Sequence, residues 1–164
     1  MIKLLKLVRI DDRLIHGQVA VGWTSSAEAN TIFVVNDQAQ NDRVKAMALD
    51  LAKPNGVKLY IRGVSESGPI VEKFANAKKA QVLVLVRTVK DALELVKTSG
   101  NAIKVINVGG LRFEEGKRKL NDFISVSAED LKDLEEIENL GVELDFRMLP
   151  RDKKTTLSEL LKKG

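Results

Sequence analysis

The residues best suited to chemistry lie in residues 11–18, which contain His16, the only histidine in the chain. An imidazole titrates near pH ~6.5, so close to neutrality much of it is a free base with one ring nitrogen available for nucleophilic attack. Asp11 and Asp12 are the nearest groups that could hold the other nitrogen and fix the tautomer. The planar guanidinium of Arg13 could pair with two phosphoryl oxygens. This segment therefore predicts phosphate chemistry beside an imidazole.

The flanking elements place this segment at the end of a strand. The apolar run 4–10 predicts a first strand, and residues 19–27 predict a helix. In an open α/β sheet, ligands bind at the carboxyl ends of the strands, and the amides that open the next helix form an anion site. Gly17 would allow close approach of the backbone to an anion. We therefore expect Gly17 and Gln18 to contact phosphate.

Two simpler interpretations of His16 stay open on spacing alone. A lone histidine is more often a surface or capping residue than a catalytic one. A metal site is disfavoured, because one imidazole with two nearby carboxylates is a poor ligand set and the sequence has no cysteine. We therefore predict neither a metal nor a cofactor.

Residues 9–19 (RIDDRLIHGQV), followed by Trp23, resemble the active-site signature of a known protein family. This family is the enzyme IIB component of the mannose family of the bacterial phosphoenolpyruvate:sugar phosphotransferase system, which handles mannose, fructose, sorbose and N-acetylated hexosamines. Further similarity covers residues 34–37 (VVND), 106–110 (INVGG) and 116–117 (GK), in order and over nearly the whole chain.

The resemblance implies a phosphocarrier in which His16, with Arg13 and Asp11, forms the catalytic set. His16 would accept a phosphoryl group on its δ nitrogen from a phosphohistidine of enzyme IIA and transfer it to a sugar. The membrane enzymes IIC and IID would present that sugar, and would hold the chain at the cytoplasmic face of the bacterial membrane. Which sugar is used, and whether the chain forms a homo-oligomer, stay open at this point.

Two other functions fit the same residues. The first is a noncatalytic nucleotide- or anion-binding module, with Asp37 near a ribose and glycines near phosphate. The second is a regulatory protein in which phosphorylation of His16 changes binding to a transcription factor. Nucleotide stabilisation in a thermal-shift screen would favour the first, and a test for sugar consumption separates the second from a carrier.

Other strand ends contribute candidate site residues. Asn107 ends a predicted strand, and Gly109 and Gly110 then give a flexible turn whose amides could approach phosphate. Arg87 follows the most apolar run and is either a second phosphate contact or a rim charge. Asp37 follows residues 32–35 and either caps the next helix, as Asn36 or Asn41 also could, or lines the site.

A large partner must reach His16, so we expect its side chain to be at least partly exposed. The residues predicted to rim it or to dock a partner are mostly charged: Arg9, Asp12, Trp23, Asp37, Arg87 and Arg112. Arg13 belongs to the same rim. The segment 112–119 is the densest basic patch, either a solvated face or a docking surface.

Composition is typical of an ordinary globular domain. The chain has 164 residues, of which 44% are hydrophobic and 30% are charged, and it has no cysteine, which suits a reducing compartment. A net charge of +4 with only 4% aromatic residues argues against nucleic-acid binding. No apolar run approaches the ~20 residues of a membrane helix, and the N-terminal residues are predicted to form a strand and not a secretion signal.

Strand and helix patterns alternate along the chain. Strands are predicted at 4–10, 32–35, 57–61, 82–86, 103–108, 123–126 and 142–148, with helices between them, one opening at Gly68 and Pro69. The run 82–86 should be central, and 57–61 and 142–148 should lie near edges. We therefore predict a single α/β domain, residues 1–164: a three-layer α/β/α sandwich around a mostly parallel sheet of six to seven strands.

Overall fold

The computed structural model describes residues 5–77 and 81–163, in which strands and helices alternate. The strands are β1 (Leu5–Asp11), β2 (Thr31–Val35), β3 (Lys58–Arg62), β4 (Val82–Val86), β5 (Val105–Gly110), β6 (Arg118–Lys119), β7 (Ser125–Val126) and β8 (Glu143–Phe146). The helices are α1 (Gly17–Ser26), α2 (Asp37–Asn41), α3 (Arg43–Ala52), α4 (Val64–Asn76), α5 (Val89–Thr98), α6 (Ala128–Asn139) and α7 (Leu157–Lys162).

Six strands form one parallel sheet in the order β3-β2-β4-β1-β5-β8. The predicted sandwich and strand count are therefore confirmed, with β4 in the interior and β3 and β8 at the edges. The predicted strand 123–126 does not join this sheet. Only its last two residues are strand, and they pair with β6 in a separate antiparallel ribbon, while Ile124 bridges to Leu111 beyond the end of β5.

Apolar side chains fill both faces of the sheet. Along β2, Phe33 and Val35 belong to one buried cluster with residues of α4, α5, α6 and α7, whereas Ile32 and Val34 belong to a second cluster with residues of α1, α2 and α3. Continuous apolar strands are expected when helices cover both faces of a parallel sheet. The sheet is thus a rigid layer whose carboxyl ends project the loops that carry the candidate residues.

The helix predicted to open at Gly68 and Pro69 begins earlier, at Val64, so that prediction is wrong. Two carboxylates stabilise its true N-terminus: Glu66 Oε1 accepts the Gly63 N–H at 3.0 Å, and Asp37 Oδ1 accepts the Val64 N–H at 2.8 Å. The second comes from 27 residues away in sequence, which a local pattern does not reveal. Among the described residues, no helix is both long and apolar enough to cross a bilayer.

Candidate active site around His16

A tight turn joins β1 to α1 and places His16 at its end. His16 is the N-cap of α1, with extended backbone angles (φ −151°, ψ 125°). The turn closes on Asp11, whose Oδ1 accepts the Arg13 N–H at 3.0 Å and whose carbonyl accepts the Leu14 N–H at 2.9 Å. Leu14 and Gly17 adopt positive φ angles of 59° and 44°, which reverse the chain direction within a few residues.

Asp11 holds one nitrogen of the imidazole. His16 Nε2 lies 2.8 Å from Asp11 Oδ2, and the His16 side chain is 25% exposed, whereas that of Asp11 is buried. A carboxylate accepts hydrogen bonds, so in the neutral ring the proton belongs on Nε2 and the lone pair on Nδ1. No hydrogen bond to Nδ1 is formed by any residue in 5–77 or 81–163. Nδ1 therefore keeps its lone pair, on a ring that lines an open cavity.

His16 faces an open cavity of about 460 Å³ that is lined by both acidic and basic side chains. Its charged lining residues are Asp11, Asp12, Arg13, Arg112, Lys119 and Asp122. Arg112 is already paired, because its Nε lies 3.1 Å and its backbone N–H 2.8 Å from Asp12 Oδ2. The exposed Arg13 guanidinium forms neither an ion pair nor a hydrogen bond with another side chain of the described segments. The cavity therefore offers a free cation beside the nucleophile, an arrangement suited to an anion.

A buried polar network lies directly beneath Asp11. Arg9 Nη2 donates to Asp11 Oδ2 at 3.0 Å, and Arg9 Nη1 donates to the side-chain oxygen of Asn107. The Arg9 guanidinium also lies 5.3 Å from the ring centre of Trp23, a cation–π distance. Burial lowers the pKa of Arg9, and the nearby carboxylates of Asp11 and Asp145 oppose that effect. The charged guanidinium is thus held in place by compensating contacts.

Residues 5–164 match the family model described as PTS system sorbose subfamily IIB component. The chain belongs to this IIB family. The relationship predicted from residues 9–19 is therefore confirmed, and the cavity described above lies within the matched residues.

Relatives and a solved structure agree with this assignment. The chain is 32% identical over 151 residues to the sorbose-specific EIIB component of Lacticaseibacillus casei, covering 91% of the chain and 90% of the relative. It is 35% identical over 159 residues to the mannose-specific EIIAB component of Escherichia coli K12, covering 96% of the chain but 48% of that relative, so it spans about half of the relative's length. The IIBSor domain of the sorbose permease from Klebsiella pneumoniae superposes with a TM-score of 0.88 at 30% identity, covering 98% of this chain and 97% of that domain.

The structure brings some of the sequence-predicted residues together in this IIB chain. The cavity is lined by Asp11, Asp12, Arg13, His16, Gly109, Gly110 and Arg112. Gly17 and Gln18 are exposed in the first turn of α1, next to His16. Within the ranges 5–77 and 81–163, no group of three or more metal-ligating side chains could hold an ion.

Two candidates lie away from the cavity. Arg87 lines a separate groove of about 300 Å³ and donates from Nη1 to Gln38 Oε1 at 2.6 Å. Arg13 lines that groove as well as the His16 cavity. Asp37 is exposed, and its Oδ1 binds the N-terminus of α4.

Two residues predicted to rim the site are buried, so the docking prediction for them is wrong. Arg9 is 1% exposed and Trp23 is 3% exposed. The Trp23 ring lies within cation–π distance of the guanidinium groups of both Arg9 and Arg147, and its Nε1 donates to the carbonyl of Met148 at 2.8 Å. These contacts place the loop after β8 over the indole, where no docking partner can reach it.

Asn107 is also misassigned by the sequence prediction, since it cannot bind phosphate where it lies. It is fully buried, its side-chain oxygen accepts from Arg9, and its Nδ2 donates to the carbonyls of Asp145 and Arg147, both at 3.0 Å. All of its hydrogen-bonding groups are directed into the protein. Asn107 therefore links β1 to the end of β8.

Gly109 and Gly110 do not form the predicted flexible turn, because they are the last residues of β5. A Cβ on Gly109 would overlap the Arg9 guanidinium, and one on Gly110 would lie 3.0 Å from Asp11 Oδ1. Glycine is therefore needed at both positions, because side chains there would crowd the buried Arg9 guanidinium and Asp11 carboxylate.

Sequence reasoning missed Asp145 and Arg147 altogether. Asp145 alternates with the apolar residues of the predicted strand 142–148, yet it is buried, and its Oδ2 accepts from Arg147 Nε at 2.9 Å. Its position near the carboxyl end of a predicted strand was the signal available in the sequence. In the structure, Asp145 lies directly opposite Asn107 in the sheet register.

Proposed function

We propose that the chain is a phosphocarrier in which His16 Nδ1 accepts a phosphoryl group from a phosphohistidine of enzyme IIA. The carrier then transfers the group to a hexose-type sugar during uptake. The observation that carries this proposal is the Asp11 Oδ2 contact to Nε2, which leaves Nδ1 unpaired at an open cavity. Membership of the IIB family supports the same role.

In the first step, the Nδ1 lone pair attacks phosphorus, the P–N bond to the donor imidazole breaks, and its electron pair returns to the donor ring. Phosphoryl transfer needs mainly positioning and charge stabilisation, so an exposed imidazole of fixed orientation suffices. Asp11 keeps the ring proton on Nε2 before and after attack. In the second step, a sugar hydroxyl attacks phosphorus, the P–Nδ1 bond breaks with its electron pair returning to the His16 ring, and the hydroxyl proton passes to solvent.

The transferring group carries negative charge, which the cavity rim would stabilise. The Arg13 guanidinium would pair with phosphoryl oxygens, and Arg112, which is paired with Asp12, lines the same cavity. The backbone amides of Gly17 and Gln18, in the first turn of α1, receive no side-chain cap. They are therefore available to donate hydrogen bonds to an anion at the positive end of the helix.

The partners follow from the proposed reaction. The mannose-specific relative is an EIIAB component, and half of its length lies outside the matched region, which supports a IIA donor for this chain. Membrane enzymes IIC and IID would present the sugar, with the chain acting at the cytoplasmic face of the membrane through them. The nucleotide alternative loses its main support, because the Asp37 carboxylate that would hold a ribose binds the N-terminus of α4 instead.

Phosphate mapping tests the proposal directly. The chain is incubated with labelled phosphoenolpyruvate and purified upstream carriers, and the acid-labile phosphate is then located by mass spectrometry. We expect label on His16 Nδ1, and none in His16→Ala with an unchanged thermal melting curve. Label retained in His16→Ala would place the phosphate on another residue and overturn the proposal.

A further inference from the structure

Arg9 has no part in the proposed transfer, yet it is the largest fully buried side chain of the described residues. A buried charge is costly unless it is paired, so such a residue needs a reason to be where it is. Its guanidinium does not line the His16 cavity, which excludes direct contact with a phosphoryl group there. Its effect must pass through another residue.

That residue is Asp11, whose Oδ2 lies between two donors. It accepts from Arg9 Nη2 at 3.0 Å and from His16 Nε2 at 2.8 Å. The second oxygen, Oδ1, accepts the backbone N–H of Arg13 at 3.0 Å. With both oxygens engaged, the Asp11 carboxylate cannot rotate without losing contacts on the cavity side and on the buried side at once.

We propose that Arg9 is the positioning residue that sets the orientation and tautomer of His16, acting through Asp11. Its importance for phosphoryl transfer rests on the proposed function, whereas the positioning itself is a property of the resting chain. Without the guanidinium, the Asp11 carboxylate would be free to turn away from Nε2, and the ring could carry its proton on Nδ1, which then has no lone pair for attack. The buried guanidinium holds the carboxylate in place while leaving its hydrogen bond to His16 intact.

The surrounding residues hold Arg9 in this role. Gly109 leaves space for the guanidinium, Asn107 accepts from Nη1, and Trp23 lies within cation–π distance. Asp145 contributes a second compensating negative charge from β8. A guanidinium that served only to fill space would not need side-chain acceptors from both β1 and β5. The arrangement fixes the direction of Nη2 toward Asp11.

Other charged groups also face His16. Asp12 and Arg13 come from the same turn, and Arg112, Lys119 and Asp122 come from the segment after β5. None of these side chains contacts Arg9 in the described part of the chain, although the backbone N–H of Arg13 shares the Asp11 carboxylate with Arg9. A substitution at Arg9 therefore reaches these residues only through Asp11.

The matched pair Arg9→Met and Arg147→Met isolates the effect. Arg147 also stacks on Trp23 at 5.2 Å and pairs with a buried carboxylate, but it does not contact Asp11. Because His16 is the sole histidine, ¹⁵N NMR of histidine-labelled protein reports its tautomer without overlap. We expect a population with Nδ1–H in Arg9→Met, and the wild-type Nε2–H tautomer in Arg147→Met.

The rate of phosphorylation provides a second readout at saturating donor. In Arg9→Met we expect this rate to fall about 10- to 100-fold. Arg9→Lys keeps the charge and should recover part of the lost rate. Arg147→Met should leave the rate close to that of the wild type.

Gly109→Ala provides a second test of the proposal if Arg9→Met does not fold. The added Cβ would displace the end of the flexible Arg9 side chain and remove no polar group, so the same tautomer change is expected. Gly22→Ala is its control, because its Cβ would meet Pro150 Cδ at an ordinary 3.7 Å. A wild-type tautomer in Gly109→Ala and Arg9→Met, or an equal change in Arg147→Met, would overturn the proposal. Since the NMR readout uses unphosphorylated protein, failure of phosphorylation would count against the proposed function alone.

Discussion

Among the arginines near His16, Arg13 differs in having an unengaged side chain. Arg112 is bonded to Asp12 and Arg87 to Gln38, whereas the exposed Arg13 guanidinium has no such partner in residues 5–77 or 81–163. Pairing it with an incoming phosphoryl group would break no existing interaction. This makes Arg13 the residue whose removal should most directly weaken stabilisation of the transferring charge.

Replacing Arg13 with alanine should therefore slow phosphorylation of His16 by about 10²- to 10³-fold, the typical effect of losing one electrostatic contact in a transition state. The unfolding free energy should change by less than about 0.5 kcal/mol, because the side chain is exposed. Single-turnover labelling at saturating donor measures the rate. Arg87→Ala is the control, since Arg87 does not line the His16 cavity, and an equal loss in both variants would contradict a specific role.

At this scale, the sequence predicted what lies within one turn and failed where burial depends on distant residues. His16 and Asp11 are five residues apart, so their proximity followed from a strand–turn–helix pattern. The burial of Arg9 and Trp23 depends instead on Asn107 and Met148, which lie about a hundred residues further along the chain. Whether an arginine faces a partner or a carboxylate is decided by such long-range contacts.

The N-terminus of α5 contains a carboxyl group, that of Asp91, whose ionisation lowers the stability of the folded protein. Thr88 Oγ1 accepts the Asp91 N–H at 3.0 Å, which caps the helix and draws the Asp91 carboxyl toward the protein. Burial raises the pKa of Asp91 above its ordinary 3.8, the hydrogen bond from Thr88 opposes this effect, and Asp37 adds like-charge repulsion. Folding therefore favours the protonated form of this side chain.

Asp91→Asn should become more stable relative to wild type as the pH rises from acid to neutral. Because the folded pKa is raised, the favourable contribution of the protonated Asp91 is complete below pH 3.8 and is lost as the pH rises through the folded pKa. Asparagine cannot ionise, so the contribution of a neutral side chain to stability is kept at every pH. Melting temperatures of the two proteins at matched pH values measure this, since other titrating groups cancel in the difference. A difference that falls with rising pH would contradict the raised pKa.

Element boundaries were predictable where the signals were local. Thr88 and Ser127 are helix caps whose hydroxyls accept from Asp91 and Asp130, three positions along the chain, so both partners lie within one short stretch of sequence. The true start of α4 was missed because Asp37 caps it from another loop. The assignment of Gly109 and Gly110 as a flexible turn failed for a related reason, since glycine in a strand can also mark a site where another side chain needs room.

For the whole molecule, alternation of apolar strands with amphipathic helices was enough to predict a parallel three-layer sandwich. The continuous apolar run of β4 correctly indicated an interior strand. The order of strands could not be read from the same patterns, because pairing β1 between β4 and β5 brings together segments about 75 and 100 residues apart. That order is what places Asn107 and Asp145 beneath the His16 turn.

The sheet and the network beneath His16 should unfold together. The two apolar clusters share the same central strands, and Trp23, the single tryptophan, belongs to one of them while its contacts reach Arg147 at the end of β8. If residues 1–164 form one cooperative domain, Trp23 fluorescence and far-ultraviolet circular dichroism should give coincident urea unfolding curves. Fluorescence that changes at lower urea than the dichroism would show instead that the region around His16 opens before the sheet, and that β8 and its loop form a separate unit. Leu134→Ala, which removes a fully buried side chain of α6 on the opposite face from Trp23, should destabilise the protein by about 2–5 kcal/mol and shift both curves equally.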